Sequence, residues 1–280
     1  MINQTTYFEV LKWASSFLEN NQKESFMAEY LLLERKDWSK TDLLLHFKET
    51  MPESEKEQYL KDLEQLVKDV PVQYLIGSTE FYGRRFLVTE ATLIPRPETE
   101  ELVDLILKDL PNEPLNIVDI GTGTGAIALS LSLERPNWQV TGIDISREAL
   151  EVAKANSKEL QAQVTFVESD VLETYASSQP VDVIVSNPPY ISLDEWDVMD
   201  ESVRKFEPKQ ALFADNNGLF IYEKIAKESQ AVLASTGRIY LEIGYLQGES
   251  VSRLFKEAFP EKEVEVIQDM NGQDRMIRVK

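Results

Sequence analysis

The chain has 280 residues, 42% hydrophobic and 28% charged, and its 29 basic against 49 acidic side chains leave a formal net charge of −20. That length suits two domains, and the mean field it creates repels DNA and RNA, so no direct nucleic-acid partner is expected. With no cysteine and a single histidine, His46, disulfides, thiolate zinc sites and cysteine nucleophiles are excluded, and no metal is expected. The first residues lack a basic start followed by an apolar run and a small-residue cleavage site. No later stretch approaches the roughly 18 apolar residues of a membrane span, so the expectation is a soluble, cytoplasmic monomer with no membrane partner.

From residue 3 to about 70 the apolar residues recur at three- and four-residue steps. The stripe Tyr59, Leu60, Leu63, Leu66, Val67 and Val70 predicts an amphipathic helix, with Ser54 and Glu57 spaced as a capping box and Pro71 as its stop. Phe8, Leu11, Trp13, Phe17 and Leu18 form a second stripe, and Ala28, Leu31 and Leu32 a third. Residues 1–77 therefore read as a small N-terminal helical bundle, with His46 taken as part of its core. Two short extended runs around Gly83 predict a hairpin linker at 78–92, and residues 93–280 form the second domain.

In that second domain, β-branched runs alternate with helical stretches. LNIVDI, WQVTGIDI, VTFVES and VDVIVSN predict βαβ units in a parallel sheet, and GRIYLEIG, EVEVIQ and RMIRVK add three strands, with SVSRLFKEAF a helix among them. The fold class is α/β, Rossmann-like.

Gly121, Thr122, Gly123, Thr124 and Gly125 lie between the first of these strands and a helix, where backbone amides at a helix N-terminus can meet a polar or anionic cofactor group. Dinucleotide enzymes use nearly the same loop, so it does not by itself separate NAD from other adenosine cofactors. Asp144, just over twenty residues on, ends the next strand. There a carboxylate accepts both hydroxyls of an adenosine ribose; its alternative role, capping the following helix, already falls to Ser146. Asp170, after the third strand, is placed either to reach an adenine amino group or to stand as a solvated loop carboxylate.

Asn187, Pro188, Pro189 and Tyr190 follow the fourth strand. Proline fixes its own φ and holds the preceding residue extended, so the Asn187 side-chain oxygen and the Pro188 carbonyl are rigid acceptors. Together they can each take one hydrogen of a planar NH2 group, whose flat face Tyr190 can cover. An amide nitrogen is a poor nucleophile because its lone pair is delocalised, so alignment with an electrophilic methyl is most of what such a site contributes. Its proton can leave after transfer, and no strong base is needed.

The glycine loop, the GIDIS aspartate and VSNPPYI together resemble the Rossmann-like S-adenosylmethionine methyltransferases that act on planar nitrogen groups, a class that includes adenine-N6 enzymes. PVQYLIGSTEFYG, LIPRPETEEL, EPKQALFADNNGL, LEIGYLQ and NGQDR narrow the resemblance to the release-factor glutamine methyltransferases, over nearly the whole chain. It implies a helical N-terminal domain that engages the substrate, a seven-stranded catalytic domain, S-adenosyl-L-methionine as cofactor and peptide chain release factors as partners, methylated on the glutamine of a GGQ tripeptide. By residue it implies that Gly121 through Gly125, Asp144 and Asn187 contact the cofactor and that Asn187 through Tyr190 hold the glutamine, with Asn187, Pro188 and Tyr190 catalytic. Val171 departs from relatives that carry tryptophan there. Arg96 and Glu98 receive no role, and Pro97 suits the first turn of a helix. The competing readings are an adenine-N6 nucleic-acid methyltransferase, a cofactor-binding scaffold without turnover, and a nicotinamide oxidoreductase.

Overall fold

The computed structural model describes residues 5–175, 179–192, 194, 196 and 199–280; residues 1–4 of the expected N-terminal domain lie outside the described residues. The chain forms two compact units, Met1–Gly77 with Glu201–Phe206, and Ser78–Asp200 with Glu207–Lys280.

The first unit holds α1 (Tyr7–Asn20), α2 (Phe26–Lys36), α3 (Lys40–His46), α4 (Glu53–Val67) and α5 (Val72–Ile76). Capping boxes open α1, where Thr6 and Glu9 bond reciprocally, and α3, where Ser39 and Asp42 do the same. The box expected at Ser54 is not formed. Pro52, with φ −56°, sets the start of α4 two residues earlier and places Ser54 inside the first turn. Pro71 is likewise not the stop: α4 ends at Val67, and Pro71, φ −55°, precedes α5, which the sequence reading missed. The core is built from Leu11, Leu18, Leu31, Leu32, Leu43, Tyr59 and Leu63. Phe8 and Trp13 are half-exposed rather than buried. His46 is also outside the core, stacked on Trp38 with ring centroids 4.4 Å apart and paired to Glu49 at 2.9 Å.

The second unit begins with the antiparallel hairpin β1 (Ser78–Phe81) and β2 (Arg84–Leu87). Its two-residue turn has φ +51° at Tyr82 and +66° at Gly83, the left-handed pair that matches strand twist. Phe81 and Phe86 are buried in the unit's core, and the Asn156 side chain accepts from the Leu87 amide and donates to its carbonyl. The chain continues through α6 (Pro97–Asp109), β3 (Asn116–Ile120), α7 (Ala126–Glu134), β4 (Gln139–Asp144), α8 (Arg147–Glu159), β5 (Val164–Glu168) and β6 (Val181–Ser186). Then come α9 (Glu201–Phe206), which belongs to the first unit, α10 (Lys209–Leu212), the single turn α11 (Asp215–Gly218), α12 (Phe220–Ser229), β7 (Leu233–Glu242), α13 (Gly248–Ala258), β8 (Val264–Gln268) and β9 (Asp274–Val279).

All seven runs expected as strands form one sheet in the order β5-β4-β3-β6-β7-β9-β8. The sheet is not wholly parallel. β9 runs antiparallel to both neighbours, filling the gap that the β7–α13–β8 crossover leaves. Alternate strand residues face two apolar layers: Ile117, Val183 and Tyr240 pack with Leu102, Ile106 and Leu129 of α6 and α7. Val118, Ile184 and Ile239 pack with Tyr222, Ile225 and Phe255 of α12 and α13. With both faces covered, strand interiors read as continuous apolar runs. Strand order reverses between β3 and β6, and in open α/β sheets that crevice, at the carboxyl ends, is where ligands bind.

Among the described residues, no helix is long and apolar enough to cross a membrane.

Candidate active site

A cavity of about 200 Å³ opens at the carboxyl ends of β3, β4 and β6. Of the residues singled out in the sequence, Gly121, Gly123, Asp144, Asp170, Asn187, Pro188 and Pro189 reach its wall. Gly121 has φ +70°, and a side chain added there would enter open space, so its absence leaves the backbone bare toward a ligand. Thr122, Thr124 and Gly125 do not reach the wall; they build the loop instead. Thr122 donates its hydroxyl to Asp119 at 2.6 Å, and the Thr124 carbonyl accepts from Asn156 at 2.9 Å. Gly125 turns the chain into α7 at φ +80°, a left-handed conformation that strains any residue with a side chain, and a Cβ there would also crowd the Leu129 side chain at 2.8 Å.

Asp119 was not anticipated as a site residue, yet it anchors the loop. Its Oδ2 also accepts from the Ala128 amide of α7, at 3.2 Å. Burial pushes its pKa up to about 7, against the pull of the Thr122 hydroxyl and that amide.

Asp144 holds the loop from the other side. Its Oδ2 accepts from the Gly123 amide at 2.8 Å and its Oδ1 from the Ser146 amide at 2.9 Å. Each oxygen keeps a lone pair for a further donor such as a ribose hydroxyl. Burial raises its pKa, and the amides of Ser146, Gly123 and Ile145 oppose that rise. The cap of α8 is Ser146, whose hydroxyl accepts from Ala149. Asp170 is half-exposed and paired to Lys224 at 2.6 Å, an ion pair that neither sequence reading of it included. Beside it Val171 is buried with φ +55°, a strained setting for a β-branched residue, and lies on the cavity wall. Apolar Ile145, Ala149 and Ile221 complete that side.

The Asn187–Tyr190 segment leaves the end of β6. Asn187 donates from Nδ2 to the Thr99 hydroxyl at 3.0 Å, and Thr99 donates to Glu242 Oε2 at 2.7 Å. Thr99 lies on α6, which opens as the Pro97 signal predicts, and Glu242 closes β7. Glu242 is buried; burial lifts its pKa to about 7, against the Thr99 bond, the charge of Arg275 and a hydrogen bond from Asn187. Tyr190 is not on the cavity wall. Its ring packs against the apolar layer of α12 and α13, and burial pushes its hydroxyl up to about 12.

The backbone after Tyr190 is clasped. Gln247 donates to the Tyr190 carbonyl at 3.0 Å, Ile191 donates to Leu212 at 3.0 Å, and Ala214 donates to Ile191 at 3.1 Å. Asn216, Asn217 and Gly218 take three successive left-handed φ values, 55°, 54° and 79°, which bring Gly218 against that same carbonyl. Arg96 pairs with the buried Glu207 at 2.5 Å, tying the start of α6 to the segment before α10. EPKQALFADNNGL and LEIGYLQ are thus the parts that hold the Asn187–Tyr190 segment in place.

The chain's residues fit an adenosyl cofactor: a bare glycine loop, a strand-end carboxylate with unused lone pairs, and apolar walls lie on one cavity. Residues 97–209 match the family model described as Methyltransferase small domain, and residues 9–77 match PrmC N-terminal domain. Among solved structures, the chain is similar to a methyltransferase from Pyrococcus furiosus, with TM-score 0.53 and 16% identity over 81% of this chain and 97% of that one. It is 54% identical over 270 residues to the release factor glutamine methyltransferase of Enterococcus faecalis, covering 96% of this chain and 97% of that one. It is 44% identical to that of Lactococcus lactis, covering 98% and 99%. At that identity over nearly the full length of both partners, the chain belongs to the release factor glutamine methyltransferase family.

Proposed function

We propose that the chain transfers a methyl group from S-adenosyl-L-methionine to the side-chain amide nitrogen of the glutamine in the GGQ tripeptide of peptide chain release factors. The observation that carries this is the seating of Asn187 and Pro188, two rigid acceptors, on the wall of the cavity that Gly121, Gly123 and Asp144 also line. When bound, the cofactor would supply an electrophilic methyl on positively charged sulfur, whose loss to the amide nitrogen would leave the bond's electron pair on a neutral thioether. Asn187 Oδ1 and the Pro188 carbonyl each accept one amide hydrogen, which fixes the nitrogen in line. The amide proton departs to solvent after transfer, since alkylation makes the nitrogen strongly acidic. Asp144 takes the ribose hydroxyls, and Tyr190 stiffens the acceptor segment from behind. Asp170, committed to Lys224, offers its remaining lone pairs to the adenine side.

In this reading residues 1–77 engage the release factor, residues 93–280 perform the transfer, and the enzyme works as a cytoplasmic monomer without nucleic acid. The test is labelled cofactor with purified release factor. The factor takes up label on its glutamine, and Asn187→Ala lowers turnover by roughly 10²- to 10³-fold with cofactor affinity largely kept. An unlabelled factor, or label on nucleic acid instead, overturns the proposal.

A further inference from the structure

We infer that Thr99 and Glu242 are positioning residues for the transfer: they lock the side-chain amide of Asn187 with its NH2 turned inward and its oxygen presented to the substrate. The inference rests on the reading of Asn187 as an acceptor for the substrate amide, and deepens it.

A hydroxyl has one proton to give. Thr99 gives it to Glu242 Oε2 at 2.7 Å, so toward Asn187 its oxygen can act only as an acceptor. The Asn187 group that meets it at 3.0 Å must therefore be NH2. Above its pKa of about 7 Glu242 is ionised and has no proton with which to reverse the chain, so the ordering is complete on the alkaline side of that value. A carboxamide is nearly symmetric in shape, so packing alone does not choose between its two flips. Turned over, Asn187 would present two N–H donors to the N–H donors of the substrate amide. Glu242 is 2% exposed, and such a buried carboxylate is costly unless it is satisfied. Its place at the end of an apolar strand, beneath a residue of the cavity wall, is accounted for by this ordering role.

The experiment compares the full chain with Thr99→Val, which removes the hydroxyl at constant shape, and Thr99→Ser, which keeps it. Steady-state transfer to a release factor, cofactor Kd and the 1H–15N resonances of the Asn187 carboxamide are read for each. Thr99→Val lowers kcat about ten- to hundredfold, the scale of lost alignment at a reacting centre, with cofactor Kd changed less than about twofold. In that variant the hydrogen-bonded carboxamide proton moves upfield. Thr99→Ser restores both readouts, which a role in packing the threonine methyl would not do. Should Thr99→Val fail to fold, Glu242→Gln decides. Its added NH2 can donate to Thr99 and release the direction of the chain, so kcat falls several-fold and the Asn187 resonance shifts. Full activity in Thr99→Val or Glu242→Gln with an unshifted resonance, while Asn187→Ala is inactive, overturns the relay and leaves the acceptor reading standing. Full activity in Asn187→Ala overturns both.

Discussion

Replacing Gly218 by alanine tests how tightly the Asn187–Tyr190 segment must be held. An added Cβ would lie 2.0 Å from the Tyr190 carbonyl oxygen and 2.8 Å from Gln247 Nε2, where real Cβ contacts stay above 3.0 Å. The carbonyl must therefore retreat by about 1 Å, because the opposing atom is backbone and not the end of a flexible side chain. Alanine at φ +79° adds about 1–2 kcal/mol of conformational strain, which leaves the fold intact but lowers its stability. A displacement of about 1 Å two residues from Pro188 costs roughly 10²-fold in turnover, since near-attack geometry is lost. The assay is steady-state methyl transfer to a release factor, with cofactor affinity by calorimetry and stability by denaturant titration on the same preparations. Turnover falls far more than cofactor affinity. A Gly218→Ala chain with unchanged kcat would refute the reasoning, because either the carbonyl position or its importance would then be wrong.

Three further outcomes are expected. Asp144→Ala removes the carboxylate that takes the Gly123 and Ser146 amides and raises cofactor Kd about tenfold or more, at roughly 1.5–3 kcal/mol for a charged hydrogen-bonding group, as calorimetry would read. Glu242 has a folded pKa of about 7 against 4.5 ordinarily. Its contribution to stability is thus whole below pH 4.5 and is lost as pH rises through 7. The groups around it are Glu98 and Thr99 on α6, Asn187 and Tyr190 after β6, Tyr222 on α12 and Arg275 on β9. Denaturant titrations should find Glu242→Gln gaining up to about 3 kcal/mol on wild type between pH 4.5 and 8; parallel curves would disprove the raised pKa. Leu63→Ala, at a fully buried site in the helical unit, costs about 2–5 kcal/mol in the same titration.

The sheet was legible because both its faces are covered: LNIVDI and VDVIVSN read as strands through their unbroken β-branched runs, and structure bears them out as β3 and β6. The glycine loop and NPPY were legible because proline and glycine act on the backbone locally. What escaped was non-local. Thr99 and Glu242 are 143 residues apart and meet only when α6 crosses the end of β7; the available hint was a glutamate inside the apolar run LEIG. The ion pair between Asp170 and Lys224 has the same character, as does the insertion of β9. The capping box at Ser54 failed for a local reason, because Pro52 starts α4 earlier than the serine would. Pro71 misled for a related one: a residue that cannot continue a helix is well suited to begin another.

Strand β9 follows β8 in the chain but lies between β7 and β8. As the polypeptide leaves the ribosome, β7 consequently waits with one row of backbone amides and carbonyls unpaired until residues 274–279 arrive. A premature antiparallel partner at that bare rim is the misfolding hazard of this topology. The wait also leaves Glu242 without Arg275, the nearby countercharge carried by β9, so the carboxylate beneath Asn187 acquires its final environment in the last stage of assembly.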